Sequence, residues 1–430
     1  MSSVTTFATS SIAPSRHSRP GWTSEPCAVG RANLFLCPTL PAWVKPLASR
    51  VKAIQPSPTV RLGTLTKDLQ AKGEPVENLS IGEPNFPTPA HIVEAAKRAL
   101  DEVPMTKYVS SLGIRELREA IAEKSRRENG IPAQPDNVLV APTKHCLFLA
   151  LMALVEPGDE VLMPDPGWVS YDPMSRLVGG RPVPVPAADE AGFVMTPEAV
   201  AEAITPRTKA ILVNSPSNPA GAVFPADVFR GIADLCRDHD LYLISDEIYE
   251  KILYDGHHVS PAALDGMFER TVTVHGFSKT YAMTGWRLGW LLADKPLLKE
   301  IVKVQEQTIT CVPGFVQRAG VAALTGPVAP VETMVAEFRA RREVALQEIG
   351  KIPGLEVARP GGAFYVFPRY RGSTPSLDLS ERLLKEGRVA VTAGSAFGAA
   401  GEGHLRISYA ASRDSVRNGI RAIGEVLSKR

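Results

Sequence analysis

Residues 271–289, TVTVHGFSKTYAMTGWRLG, constrain this chain more than any other stretch. The run TVTV predicts a short buried strand over 271–274, because β-branched side chains pack well on a pleated surface. Gly276 turns the chain, and Lys279 is offered at the strand's end. Charged residues seldom sit beside buried strands without a task. A lysine in a partly desolvated pocket has a depressed pKa, and its neutral amine attacks carbonyls. Arg287 follows between Trp286 and Leu288-Gly289. A guanidinium among apolar neighbours wants an anion, and its fork suits phosphate.

A lysine for an aldehyde and an arginine for a phosphate together describe pyridoxal 5′-phosphate (PLP). The pair Ser278-Lys279 alone is common and reads as a solvated turn. The longer string SKTYAMTGWRLG is far more specific. It resembles the PLP-lysine signature of class I aminotransferases of fold type I, and the resemblance runs from about Leu47 to the C-terminus. The subgroup resembled is that of bacterial and archaeal aspartate aminotransferases, which includes aspartate–prephenate aminotransferases.

The chain has 430 residues, enough for two domains. Its formal net charge of +2 gives no reason to expect a nucleic-acid partner. Cys27, Cys37, Cys146, Cys236 and Cys311 are scattered without CxxC spacing. That argues against a zinc site or a disulfide framework and fits a reducing, cytoplasmic setting. No apolar run reaches the length of a membrane span. Residues 1–46 hold one acidic residue, Glu25, among serines, arginines and prolines. They read as a disordered extension or a start codon set too early. An organellar transit peptide is the alternative.

Taken in order, residues 47–69 end in a helix, and QPSPTV there contains Ser57 and Thr59. In LSIGEPNFPTP, Gly82 before Glu83-Pro84 suggests backbone brought close to something. Helical spacing covers Ala90–Leu100, and a second amphipathic helix starts near Gly113. Tyr108, just before it, reads alone as a surface aromatic. Residues 138–163 read strand, turn, helix, strand, the unit of a parallel sheet. The turn Pro142-Thr143-Lys144 therefore opens a helix, where free N–H groups and the dipole favour phosphate. Relatives in the resembling family carry two small residues where this chain has Pro142-Thr143. Proline removes one N–H donor, and the Thr143 hydroxyl is the expected substitute. Trp168 alone reads as a core tryptophan.

Residues 210–213 form another strand and lead into NSPSNPAG, where Asn218 lies in a proline- and glycine-rich turn. In LYLISDEIYE a buried strand over 241–244 ends near Asp246. Ligands collect at the carboxyl ends of parallel strands. A buried carboxylate needs a cation, and the ring N–H of PLP supplies one. Tyr249, three residues on, can reach the cofactor's phenolic oxygen. The chain after Ala293 is mainly helical to about Ile349, broken at Pro313-Gly314 and Gly326-Pro327. Residues 359–370, RPGGAFYVFPRY, read as one alternating strand, and HLRISYA sets Arg406 in another.

The resemblance implies an α/β fold with a large PLP domain over residues 86–310, its mostly parallel sheet flanked by helices. A smaller α+β domain would come from 47–85 and 311–430. It also implies a homodimer with shared active sites, in which Tyr108 reaches the neighbour's cofactor phosphate. Lys279 would carry PLP and move the proton. Asp246 would hold the ring nitrogen, and Tyr249 and Asn218 the phenolic oxygen. Trp168 would face the ring, and Arg287, Thr143, Lys144 and Ser278 would lie with the phosphate. Arg406, with Gly82, Trp168 and Asn218, would hold the substrate. Lys144, Ser57 and Thr59 would meet a distal carboxylate, so the expected reaction is transamination of aspartate or glutamate with 2-oxoglutarate or oxaloacetate, and with prephenate as a further acceptor. The other readings are an aromatic or alanine aminotransferase, a PLP-dependent carbon–sulfur lyase, an effector-binding regulator and a silent scaffold. A regulator would need a DNA-binding segment, and a scaffold would not need every chemical position filled.

Overall fold

In the computed structural model the described residues are 45, 48–52, 54, 58–189 and 192–429. Strand β1 (Glu77–Asn78) stands apart from the central sheet. Strands β2 (Val138–Val140), β3 (Glu160–Asp165), β4 (Arg181–Pro186), β5 (Thr208–Asn214), β6 (Tyr242–Asp246), β7 (Thr271–Gly276) and β8 (Gly289–Leu292) build that sheet. Their spatial order is β2-β8-β7-β6-β5-β3-β4. The pairs from β7 through β6, β5 and β3 to β4 are parallel. Strand β8 runs antiparallel to both β2 and β7.

The residues explain this order. Strands β6 and β7 are almost entirely buried, as parallel strands between two helical layers must be. Strand β4, RPVPVP, takes the edge. Its three prolines lack N–H donors, and only an edge strand tolerates that. The strands expected at 138–140, 160–163, 210–213, 241–244 and 271–274 are all present, whereas β4 and β8 were not anticipated. The helix Thr143–Leu154 packs on β7 and β8 through Cys146, Leu147 and Ala150.

The helical tract after Ala293 divides at the expected breaks into Lys295–Thr308, Gly314–Thr325 and Ala329–Ile349. Helix Gly314–Thr325 packs with Ala90–Leu100 and Arg115–Asn129, close to the central sheet. Helix Ala329–Ile349 enters a second core, built on Phe338, Phe364, Tyr409 and Ile420. Among the described residues, no single helix is long and apolar enough to cross a membrane.

The second core covers short strands: β9 (Leu355–Glu356), β10 (Tyr365–Val366), β11 (Arg369–Tyr370), β12 (Val389–Ala390), β13 (Thr392–Ala393) and β14 (Leu405–Ser408). Strand β14 lies between β10 and β13, and β1 pairs with β12. The single strand expected over 359–370 is therefore corrected. Only β10 and β11 form, on different partners, β14 and β9. Pro368 stands between them and has no N–H to carry the ladder across.

Candidate active site

The carboxyl ends of three neighbouring parallel strands meet at one edge. Asn214 closes β5 and Asp246 closes β6. Lys279 sits on the single helical turn Phe277–Thr280 that follows β7. Because β8 runs back, the loop between β7 and β8 delivers Arg287 to the same edge. A cavity of about 360 Å³ opens there. Gly82, Thr143, Lys144, Trp168, Asn218, Asp246, Tyr249, Ser278, Lys279, Arg287 and Arg406, all expected from sequence, line it. Tyr108 does not; its ring is 87% exposed on this chain's surface. Ser57 lies outside the described residues, and Thr59 lies in helix Pro58–Ala71.

Burial pushes the Lys279 amine down to about 8. Glu83 opposes that shift, and the charges of Arg406 and Arg287 add to it. The amine donates to the Gly82 carbonyl at 2.5 Å. Gly82 is glycine for a reason of space: a Cβ there would lie 2.6 Å from the Tyr365 hydroxyl. Asp246 shifts the other way. Burial pushes its carboxyl up to about 6, against donated hydrogen bonds from the Tyr171 hydroxyl to Oδ2 at 2.8 Å and the Ile248 N–H to Oδ1 at 3.3 Å. No ion pair among the described residues includes Asp246. A cation is what this carboxylate lacks.

At the other end of the cavity the helix Thr143–Leu154 points its first turn inward, preceded by Pro142. The first N–H groups of a helix have no partner within it. Two glycines let this helix end approach the sheet. A Cβ on Gly276 would fall 2.0 Å from Thr143 Oγ1, and one on Gly289 would fall 2.5 Å from it. The Thr143 hydroxyl donates to the His275 carbonyl at 3.2 Å, so its proton is already engaged and only its lone pairs stay free. Arg287 is exposed at the mouth rather than enclosed by apolar neighbours, in a left-handed conformation with φ 56°. Its Nη1 donates to the Thr284 carbonyl at 3.0 Å.

Arg406, on β14, is 7% exposed. Its guanidinium lies over the rings of Tyr365 at 4.6 Å and Phe397 at 5.0 Å. It donates to Asn218 Oδ1 at 3.1 Å, to the Ser80 carbonyl at 2.6 Å and to Thr392 Oγ1 at 3.2 Å. Its Nε has no partner, and no ion pair among the described residues includes it. Burial lowers its pKa. Lys144 stands over the Trp168 ring at 4.8 Å, its pKa lowered by burial and then by Arg287. The cavity lining thus holds Lys144, Lys279, Arg287 and Arg406 against one carboxylate, Asp246. A ligand of this cavity must bring negative charge.

Sequence reasoning missed four contributors. Tyr171 holds Asp246, Tyr365 meets the Tyr249 hydroxyl at 2.9 Å, Asn214 lines the cavity, and Ser80 gives a backbone carbonyl to Arg406. Tyr171 lies three residues after Trp168, a spacing that could have flagged a shared face. Asn214 ends a strand just as Asp246 does. Ser80 acts through backbone and carries no side-chain signal.

A buried ionic group lies behind the site. The Glu247 carboxylate accepts from His258 Nε2 at 2.7 Å and from the Ser245 and Ser260 hydroxyls at 2.8 Å each. Glu250 pairs with Lys124 and accepts from Asn129 at 2.7 Å. His275 stands between the two carboxylates, 3.5 Å from Glu247 and 3.6 Å from Glu250, stacked on Trp290. Lys124 and His258 supply cations here, and Glu247 with its neighbours raises the pKa of His258 against the effect of burial.

PLP fits these residues on three observations. A buried carboxylate lacks its cation, burial holds a lysine amine down at about 8, and glycines leave room at a helix N-terminus that opens on the cavity.

The family described as aminotransferase class I and II matches residues 74–423. A protein of Aquifex aeolicus named "Probable aspartate/prephenate aminotransferase" is 45% identical over 394 residues, 90% of this chain and 99% of its own length. The "Aromatic-amino-acid aminotransferase 2" of Thermococcus litoralis is 41% identical over 89% of this chain and 99% of its own. The solved structure "Aspartate aminotransferase from Thermus thermophilus with maleate" superposes with a TM-score of 0.85 at 43% identity, covering 89% of this chain and 100% of that one. With that likeness over about nine-tenths of its length, the chain belongs to the class I and II aminotransferases and is a PLP-dependent aminotransferase.

Proposed function

We propose that this aminotransferase takes an acidic amino donor, aspartate or glutamate, and passes the amino group to 2-oxoglutarate or oxaloacetate, with prephenate as a further acceptor. The observation that carries the reading is Lys144, a solvent-exposed cation on the cavity wall with no carboxylate partner among the described residues. Arg406 already serves one carboxylate. A second lone cation suits a substrate with two. The names of the relatives in Aquifex aeolicus and Thermus thermophilus point the same way.

Each residue then has a task. Arg406, desolvated and with Nε unpartnered, takes the donor's α-carboxylate in its fork. Asn218 orients that guanidinium and, with Tyr249, would hold the cofactor's phenolic oxygen. Thr143 through its backbone N–H, with Ser278 and Arg287, would hold the phosphate, and Asp246 the proton on the ring nitrogen. PLP, when bound, supplies the electron sink that accepts the pair released as the substrate's Cα–H bond breaks. Lys279 holds the cofactor between turnovers. Once displaced by the donor's amine, it would take the Cα proton, and the burial that lowers its pKa favours the neutral amine this needs. The same ammonium returns the proton one position away. Water would then release the first product as its 2-oxo acid, supplying the keto oxygen, and a second 2-oxo acid would run these steps in reverse.

The reading extends to a large domain around the seven-stranded sheet and a small one from both chain ends. It also extends to a cytoplasmic homodimer in which Tyr108 of one subunit serves the cavity of the other. The 87% exposure of Tyr108 supports that assignment, and cysteine spacing supports the location; localisation of the tagged full chain, in cytosol or organelle, tests the latter. For the substrate, Lys144→Ala is measured with aspartate and with alanine at saturating PLP. The expected result is a loss in kcat/KM of about 2–4 kcal/mol for aspartate and little change for alanine. A uniform loss with easier PLP release would assign Lys144 to the phosphate instead and favour a neutral or aromatic donor, as in the Thermococcus litoralis relative.

A further inference from the structure

We propose that Tyr171 is a positioning residue for the reaction: its hydroxyl holds the Asp246 carboxylate so that the shared proton stays on the cofactor's ring nitrogen rather than on the protein. The proposal rests on the reading of Asp246 as the ring-nitrogen partner. Three observations carry it. Tyr171 is 1% exposed, and its hydroxyl donates to Asp246 Oδ2 at 2.8 Å. It opens the helix Tyr171–Leu177, and its ring meets Trp168 edge-on at 5.3 Å. Trp168 in turn carries Lys144 over its face. One stack of side chains therefore runs from the Lys144 end of the cavity to its buried acid, and Tyr171 is the member that touches the acid.

The physical argument concerns proton sharing. A carboxylate facing a pyridine nitrogen can keep the proton or leave it on the ring. Burial raises the basicity of Asp246, which favours the carboxyl form; the Tyr171 hydroxyl pulls the other way by donating to the carboxylate. Tyr171 itself stays protonated, since burial and the nearby Asp246 charge push its pKa well above the ordinary value. It is thus a permanent donor. Without it, Asp246 becomes more basic and draws the proton from the ring, and the ring accepts electrons less well.

The competing reading is a core tyrosine whose hydroxyl simply found the nearest acceptor. Tyr171→Phe keeps the ring and its contact with Trp168 and removes only the donor. The experiment loads wild type, Tyr171→Phe and Asp246→Asn with PLP labelled with ¹⁵N in the ring and reads the nitrogen's chemical shift, alongside kcat and KM for the amino donor. In the expected result wild type is pyridinium-like, Asp246→Asn is pyridine-like and Tyr171→Phe lies between them. Its kcat should fall about ten-fold with KM nearly unchanged, the scale of one hydrogen bond to a charge. A Tyr171→Phe shift equal to wild type overturns the proposal, whatever its activity. A pyridine-like wild type overturns the Asp246 reading beneath it. If Tyr171→Phe does not fold, 3-fluorotyrosine placed at position 171, a stronger donor of nearly the same shape, decides: the ring nitrogen should then hold its proton to higher pH, and an unchanged midpoint rejects the proposal.

Discussion

Asp246 carries a conflict between stability and use. Its folded pKa, about 6, lies above the ordinary carboxylate value because burial disfavours its charge. In the cofactor-free protein the folded state therefore binds this proton more tightly than the unfolded chain does. On this group's account, stability is greatest below the unfolded pKa and falls as pH rises through about 6, by on the order of 3 kcal/mol. Cofactor binding returns that energy by supplying a cation. Asp246→Asn, neutral and nearly isosteric, should make the cofactor-free protein melt a few degrees higher than wild type at pH 8. It should also shrink the gain in Tm on adding PLP and lower kcat by on the order of 100-fold. A lower Tm for the cofactor-free variant would contradict this account.

At the level of elements, strands β5, β6 and β7 could be read from sequence because burial on both faces leaves apolar runs in β5 and β6 and β-branched residues throughout the first four positions of β7. The placement of Asp246 and Lys279 at their ends followed from that. Strand β4 could not be read, since prolines normally argue against a strand and only its edge position excuses them. Tyr171 stayed hidden for another reason: it acts through Asp246 across 75 residues of chain. The buried group of Glu247, Glu250, His258, His275 and Lys124 was equally invisible, yet it ties β6 and β7 together just behind the site. Burial pushes His275 down to about 4. As pH falls, the unfolded chain protonates this histidine first, from about its ordinary value of 6.5, so the fold loses stability between about pH 6.5 and 4. His258 is raised, and its contribution changes above that window. Glu247 and Glu250 are held low by the surrounding cations and act below it. In an Asp246→Asn background, which removes the opposing change at that carboxyl, a Tm series over this range should slope steeply, and less so when His275→Asn is added. Equal slopes would place the acid sensitivity elsewhere.

For the whole molecule, the proposed dimer makes a sharp prediction. If Tyr108 serves the other subunit's cavity, Lys279→Ala and Tyr108→Ala proteins should each be weak or dead alone. Hybrids formed by mixing and refolding them should regain activity, because one cavity of each hybrid then has both native residues. No recovery would mean that Tyr108 has no role across the interface. The strand layout has one more consequence. Asp246 ends β6, and Lys279 and Arg287 sit in the connection between β7 and β8 of the large sheet, while Arg406 rides on β14 in the other core. Loosening between the two cores would withdraw the substrate's anchor and leave the cofactor's anchors in place. Under such loosening the molecule would run two clocks, a quick one reset each time a metabolite leaves and a slow one that need not tick between one visitor and the next.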